Sequence, residues 1–295
     1  REAINDKKNQ EEKTKPLLQI PNLTPSLRHD WCQSTTMPAN GPMEEFTRKV
    51  TRNDYPILRL KQLGIKKVRV PLVDFLDPVS AARIHLLSGF GIKAVVFFSG
   101  NISKKDFKTL MNMNENIYAI EVISRDIPLS ILEMLRDTDW PVWYSKISTS
   151  ANQSDDTKPF NISVSTGCMA DEIRELSSNL AEISPIKDLR LMVQCPWQGD
   201  YMVSSIQEIV NDWNYIKNDV VKLAINVRLA PSNPAKENVD SIAMAQTIRG
   251  VQSIAENNPK VEFILDTFEA FDRGYHPRLG LIDTLSNISD WYPQQ

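Results

Sequence analysis

Short apolar runs alternate with amphipathic helical stretches along most of the chain, and this alternation limits the fold more than any single motif. The apolar runs fall at 67–73, 92–98, 117–123, 141–147, 189–195, 221–227 and 261–266. Helical spacing fills the intervals, at about 54–63, 79–88, 104–113, 128–137, 171–183, 202–216 and 237–256. Near-continuous apolar runs of this length read as parallel strands covered on both faces. Taking 33–37 as the first strand, and leaving out the short segment 161–164, eight strands alternate with helices. Eight such units predict an α/β fold of the (β/α)8 TIM-barrel type rather than an open doubly wound sheet. No Gly-rich phosphate fingerprint follows any strand, which disfavours dinucleotide binding.

Residues 1–28 are charged at first and then punctuated by proline, so they read as a flexible tail or linker ahead of a single barrel domain over 29–295. A chain of 295 residues with 41% hydrophobic content can bury a large core. A net charge of −3 argues against an electrostatic nucleic-acid binder, and no apolar run reaches membrane-span length. Cys32, Cys168 and Cys195 are widely separated and lack metal-ligand spacing, so no metal or other cofactor is expected. They read as buried free thiols, with one disulfide and a spare thiol as the alternative. Asn-x-Ser/Thr triplets begin at Asn22, Asn101, Asn152, Asn161 and Asn287, which favours a secreted or periplasmic location. The run from the last strand to Gln295 is short, which points to an apolar flank covered by the N-terminal segment or by another subunit.

Chemistry in a barrel of this type sits at the carboxyl ends of the strands. Glu121 lies in the middle of an apolar strand, where a carboxylate is costly unless paired or hydrated. It is either a catalytic group or half of an ion pair with Arg69 or Arg125, and the ion pair is favoured. Other candidates near strand ends are Asp74, Asp77, Ser124, Asp126, Lys146, Trp197, Asp200, Asn226 and Arg228. The densest polar cluster follows the eighth strand: Asp266, Glu269, Asp272, Arg273, His276 and Arg278. Its acids form either an acid/base or metal-binding set or a solvated, structure-fixing loop, and the loop is favoured. Its arginines either clamp an anionic sugar or pair with neighbouring acids. Trp140, Trp143, Trp197 and Trp213 are packing residues by default, with a sugar-stacking platform as the alternative.

Three stretches carry a family resemblance. The 63–71 segment Leu-Gly-Ile-Lys-Lys-Val-Arg-Val-Pro resembles the second strand of the clan A glycoside hydrolases, whose arginine supports the nucleophile. The 117–128 segment resembles their fourth strand, and 263–283, ending in Gly-Leu-Ile-Asp, is similar to their eighth. The xylosidase- and polysaccharide-lyase-like branches are nearest in character. The resemblance implies an acid/base Glu at the end of strand four and a nucleophile Glu at the end of strand seven. Ser124 and Arg125 stand at the first place, and Asn226 is the nearest match to the second. Glu121 matches an earlier, supporting Glu. An amide cannot serve as nucleophile, and an arginine cannot hand over a proton at neutral pH.

The resemblance therefore implies a hydrolase-related barrel without retaining catalysis that binds a carbohydrate, a small anionic sugar or a protein partner, homo-oligomers included. Arg69, Arg125, Trp197, Asn226, Arg228, Asp272, Arg273 and His276 are its candidate binding residues. An active glycosidase using Glu121 with Asp266 or Glu269 is the alternative. A lyase or aldolase using Lys146 as a Schiff-base amine is a third reading.

Overall fold

The computed structural model describes residues 22–27, 54–147, 166–183, 186–196, 198–229, 241–266 and 281. Eight parallel strands carry the fold: β1 Leu23–Pro25, β2 Lys67–Pro71, β3 Lys93–Ser99, β4 Ile117–Ser124, β5 Val142–Lys146, β6 Leu189–Cys195, β7 Val221–Arg228 and β8 Glu262–Asp266. They pair in the order β1-β8-β7-β6-β5-β4-β3-β2. A parallel bridge between Ser26 and Arg69 closes the ring, with Leu27 N–H donating to Arg69 C=O at 2.9 Å. The described helices are α1 Asp54–Gln62, α2 Val73–Leu76, α3 Pro78–Gly89, α4 Lys104–Asn112, α5 Leu129–Leu135, α6 Ile173–Ile183, α7 Met202–Ile216 and α8 Ser241–Asn257. The chain is a (β/α)8 barrel. None of the described helices is long and apolar enough to cross a membrane.

Local chemistry sets the helix ends. Asp77 caps α3 by accepting from Ser80 N–H at 2.8 Å, and Pro78 opens the helix where no N–H partner is needed. Ser103 caps α4 in the same way through Asp106 N–H. Side-chain alternation along each strand then builds two cores. Val68, Val70, Ile120, Val122, Ile225 and Val227 point outward into the layer beneath the helices. Val95, Ala119, Trp143, Met192, Ala224 and Ile264 point inward and fill the barrel. Residues one step further along the inward register reach the carboxyl-end mouth, and this places Glu121, Ser145, Asn226 and Asp266 there.

The first strand differs from expectation. It is Leu23–Pro25, inside the stretch 1–28 read as a tail, whereas 33–37 lies outside the described residues. A three-residue strand has no periodicity to reveal it; tertiary bonds hold it instead. Asn22 Nδ2 donates to the carbonyls of Ala255, Asn258 and Val261 at 3.0, 3.1 and 2.7 Å, fastening β1 to the end of α8. Phe263 N–H donates to Asn22 C=O and Ser26 N–H to Leu265 C=O, each at 2.8 Å.

Because β1 is so short, side chains tie β2 to β8 across it. Lys67 and Glu262 form a buried ion pair at the amino end of the barrel. Tyr118 donates its hydroxyl to Glu262 Oε1 at 2.8 Å, and its ring lies 4.4 Å from the Lys67 ammonium. Burial lowers the Lys67 pKa against the opposing pull of Glu262. At this face of a barrel, such a cluster serves stability rather than chemistry.

Candidate functional site at the barrel mouth

Glu121 is completely buried, and its partner is Arg69. Arg69 Nε donates to Glu121 Oε2 at 2.5 Å and Nη2 to Oε1 at 3.1 Å, a bidentate pair across the barrel interior. Ser145 donates its hydroxyl to Oε1 at 2.5 Å. Arg69 Nη1 reaches Ser26 Oγ at 3.1 Å, and the guanidinium lies 3.9 Å above the Phe97 ring. Arg125 is exposed beyond the end of β4 and is not the partner of Glu121. With both carboxylate oxygens accepting from strong donors, Glu121 acts as an acceptor.

Asn226 occupies the corresponding inward position on β7, in register with Gln194 and Ile264. Its Nδ2 donates to Thr166 Oγ1 at 2.9 Å and to Thr166 C=O at 3.3 Å. Its Oδ1 is buried without a hydrogen-bond partner among the described residues.

Thr166 arrives on a segment that sequence reasoning missed. The pairing of β5 with β6 ends at Ser145 and Met192, and residues 166–168 enter the gap beyond it. Gly167 N–H donates to Lys146 C=O and Cys168 N–H to Met192 C=O, each at 2.9 Å; Gln194 N–H donates to Cys168 C=O at 3.0 Å. Gly167 has φ +115°, and a Cβ there would lie 2.7 Å from Gln194 N. Only glycine suits both constraints. The glycine itself, set between Thr166 and Cys168 just past the Ser- and Asn-rich excursion, was the one available signal for this insertion.

The remaining candidates divide by position. Arg228 and Asp266 are in register at the ends of β7 and β8 and half-buried, so they face the mouth together. Asp77 is a helix cap, and hydrogen bonds from Ser80 hold its carboxyl below the usual range. Asp74 is buried in α2. Ser124 donates its hydroxyl to Asp126 C=O at 2.6 Å, and Asp126 and Asp200 are exposed. Trp143 lies in the inner core, Trp140 packs edge-on against Phe107, and Trp213 is buried on α7, so these three are packing residues. Trp197, Glu269, Asp272, Arg273, His276 and Arg278 lie outside the described residues.

Lys146, the candidate Schiff-base amine, ends β5 beside Glu172. Ser145 takes the inward position, so Lys146 points outward and pairs with Glu172. The hydrogen bond from Lys146 to Glu172 raises the lysine pKa, opposite to what a nucleophilic amine requires. Cys168 and Cys195 are free and buried, and burial pushes both thiols up to about 12. They are poor nucleophiles there. Cys32 lies outside the described residues.

No protein-family model matches the sequence, and no curated protein matches it. Among solved structures, the crystal structure of a glucosidase from Croceicoccus marinus aligns with a TM-score of 0.40 at 10% identity. The alignment covers 80% of this chain and 60% of the glucosidase chain, so this chain spans well under the glucosidase's full length. The strand order and the Ser26–Arg69 bridge that closes the ring by themselves define the barrel.

Proposed function

We propose that this protein is a glycoside-hydrolase-related barrel that lacks retaining catalysis and binds carbohydrate at its carboxyl-end mouth. One observation carries the reading: Glu121 is committed to Arg69 and Ser145 while β7 presents an amide, Asn226. Retaining hydrolysis requires a nucleophilic carboxylate and a proton-donating carboxyl roughly 5 Å apart. Asn226 cannot attack an anomeric carbon to leave a glycosyl ester. Both carboxylate oxygens of Glu121 are engaged as acceptors by Arg69 and Ser145. The Ser124-Arg125 pair at the end of β4 supplies no acid at the other reacting position. What remains at the mouth is a set of fixed polar groups, which suits holding a hydroxyl-rich ligand more than breaking one.

Turnover of a panel of nitrophenyl glycosides and natural oligosaccharides tests the catalytic half of this reading. The expected result is no hydrolysis above the uncatalysed background. Hydrolysis that disappears in Glu121→Gln or Asp266→Asn, with the circular dichroism spectrum unchanged, would mean that a working acid pair exists and the proposal is wrong.

A further inference from the structure

The described mouth is balanced in charge. Arg69 is neutralised by Glu121, Lys146 beside the mouth by Glu172, Arg228 sits in register with Asp266, and the exposed Arg125 at the end of β4 is followed by the exposed Asp126. A site for uronates or sulfated sugars would need uncompensated positive charge to offset the desolvation of the anion.

The rim above β6 supplies apolar surface instead. Tyr201 follows β6 in a single 3-10 turn, Gly199–Tyr201, and is 73% exposed. Its side chain has no hydrogen bond or ring contact among the described residues. Tyr215, also exposed, differs: it lies in the last turn of α7, at the other end of the barrel, with Arg174 over its ring. Met169, 43% exposed, is held at the same carboxyl end of β6, its sulfur accepting from Gln194 Nε2 at 3.0 Å. Gln198, three residues before Tyr201, accepts from Ser205 and keeps its own amide N–H groups unused among the described residues. The segments at the carboxyl end of β6 thus carry an exposed aromatic ring at Tyr201, a thioether at Met169 and side-chain amides at Gln194 and Gln198. A pyranose ring has matching chemistry, with one face of C–H groups and an edge of hydroxyls.

We infer that the β6 rim is a stacking site for an uncharged pyranose ring, with Tyr201 as its platform and neutral oligosaccharides as the ligand class. This rests on the carbohydrate-binding reading above and narrows it. The test is calorimetric titration of the full chain with neutral hexasaccharides (xylohexaose, cellohexaose, laminarihexaose, mannohexaose) and acidic ones (hexagalacturonate, a heparin hexasaccharide). Wild type, Tyr201→Ala and Tyr201→Phe are compared; an exposed side chain can be truncated without unfolding the barrel, and circular dichroism checks this.

The expected result is binding of at least one neutral sugar, weakened roughly tenfold or more by Tyr201→Ala and retained by Tyr201→Phe. Preference for the acidic sugars, or binding indifferent to Tyr201→Ala, would overturn the inference while leaving carbohydrate binding standing. Loss in Tyr201→Phe equal to that in Tyr201→Ala would assign the contact to the hydroxyl and overturn stacking. Silence towards every sugar would overturn both the inference and the carbohydrate reading, leaving a protein partner.

Discussion

Replacing Arg69 by Met tests whether the mouth is held by one buried ion pair. Methionine keeps much of the volume and can still pack against Phe97, so the change is mainly one of charge and hydrogen bonding. Glu121 is 0% exposed and accepts from Arg69 twice and from Ser145 once. Without Arg69, the carboxylate keeps one neutral donor in a site closed to solvent. Stranding a buried charge in this way costs about 3–5 kcal/mol. Against a total stability on the order of 5–15 kcal/mol, that is a large fraction. In a urea titration it corresponds to a midpoint lowered by roughly 1–2 M, with little change in slope. The double variant Arg69→Met/Glu121→Leu removes both charges together and should recover to within about 2 kcal/mol of wild type, because neither ion is left unpaired. The resulting thermodynamic cycle isolates the coupling between the two residues. A loss below about 1 kcal/mol in Arg69→Met, or a double variant no better than the single one, would refute the argument that these groups depend on each other.

Two further outcomes follow from the β5–β6 insertion. Gly167→Ala forces an L side chain into a positive-φ conformation and against the backbone of Gln194, so it should destabilise by at least about 1–3 kcal/mol in urea melts; an unchanged midpoint would count against the close approach. The Lys146–Glu172 pair should add stability only where both groups are charged. Burial raises the Glu172 pKa, but hydrogen bonds from Lys146 and Met169 N–H outweigh it and leave the folded value lowered, so its contribution is present above the ordinary carboxyl value of 4.5 and is lost as pH falls through the folded value. The lysine's folded value is raised by Glu172, so its contribution is complete below the ordinary 10.5 and is lost as pH rises through the folded value. The stability difference between wild type and Lys146→Met should therefore be flat near neutrality and shrink in acid; a difference independent of pH down to strongly acid conditions would contradict the pairing.

Seven of the eight strands were legible as sequence because each is a run of outward and inward apolar residues long enough to show itself. The helix between β6 and β7 begins and ends at Met202 and Ile216 in both the pattern and the structure. β1 was not legible. Leu23-Thr-Pro25 is too short to have a period, and its stability comes from Asn22 on the end of α8 and from pairing with β8, residues more than 230 positions away along the chain.

The site divides along the same line. That Glu121 needed a partner could be read from one carboxylate in an apolar strand, since burial of a charge is costly in any fold. Which arginine would supply it could not, because Arg125 is nearer in sequence and Arg69 is nearer only once the barrel has closed. The sequence by itself determined the periodicity, and hence the barrel and the inward face of each strand. The tertiary structure alone decided which inward residues meet: Arg69 with Glu121, Asn226 with Thr166, and Lys67 with Glu262. The physical reason is that periodicity is a property of neighbouring residues, whereas pairing across a barrel depends on strand order, register and the point at which the ring closes.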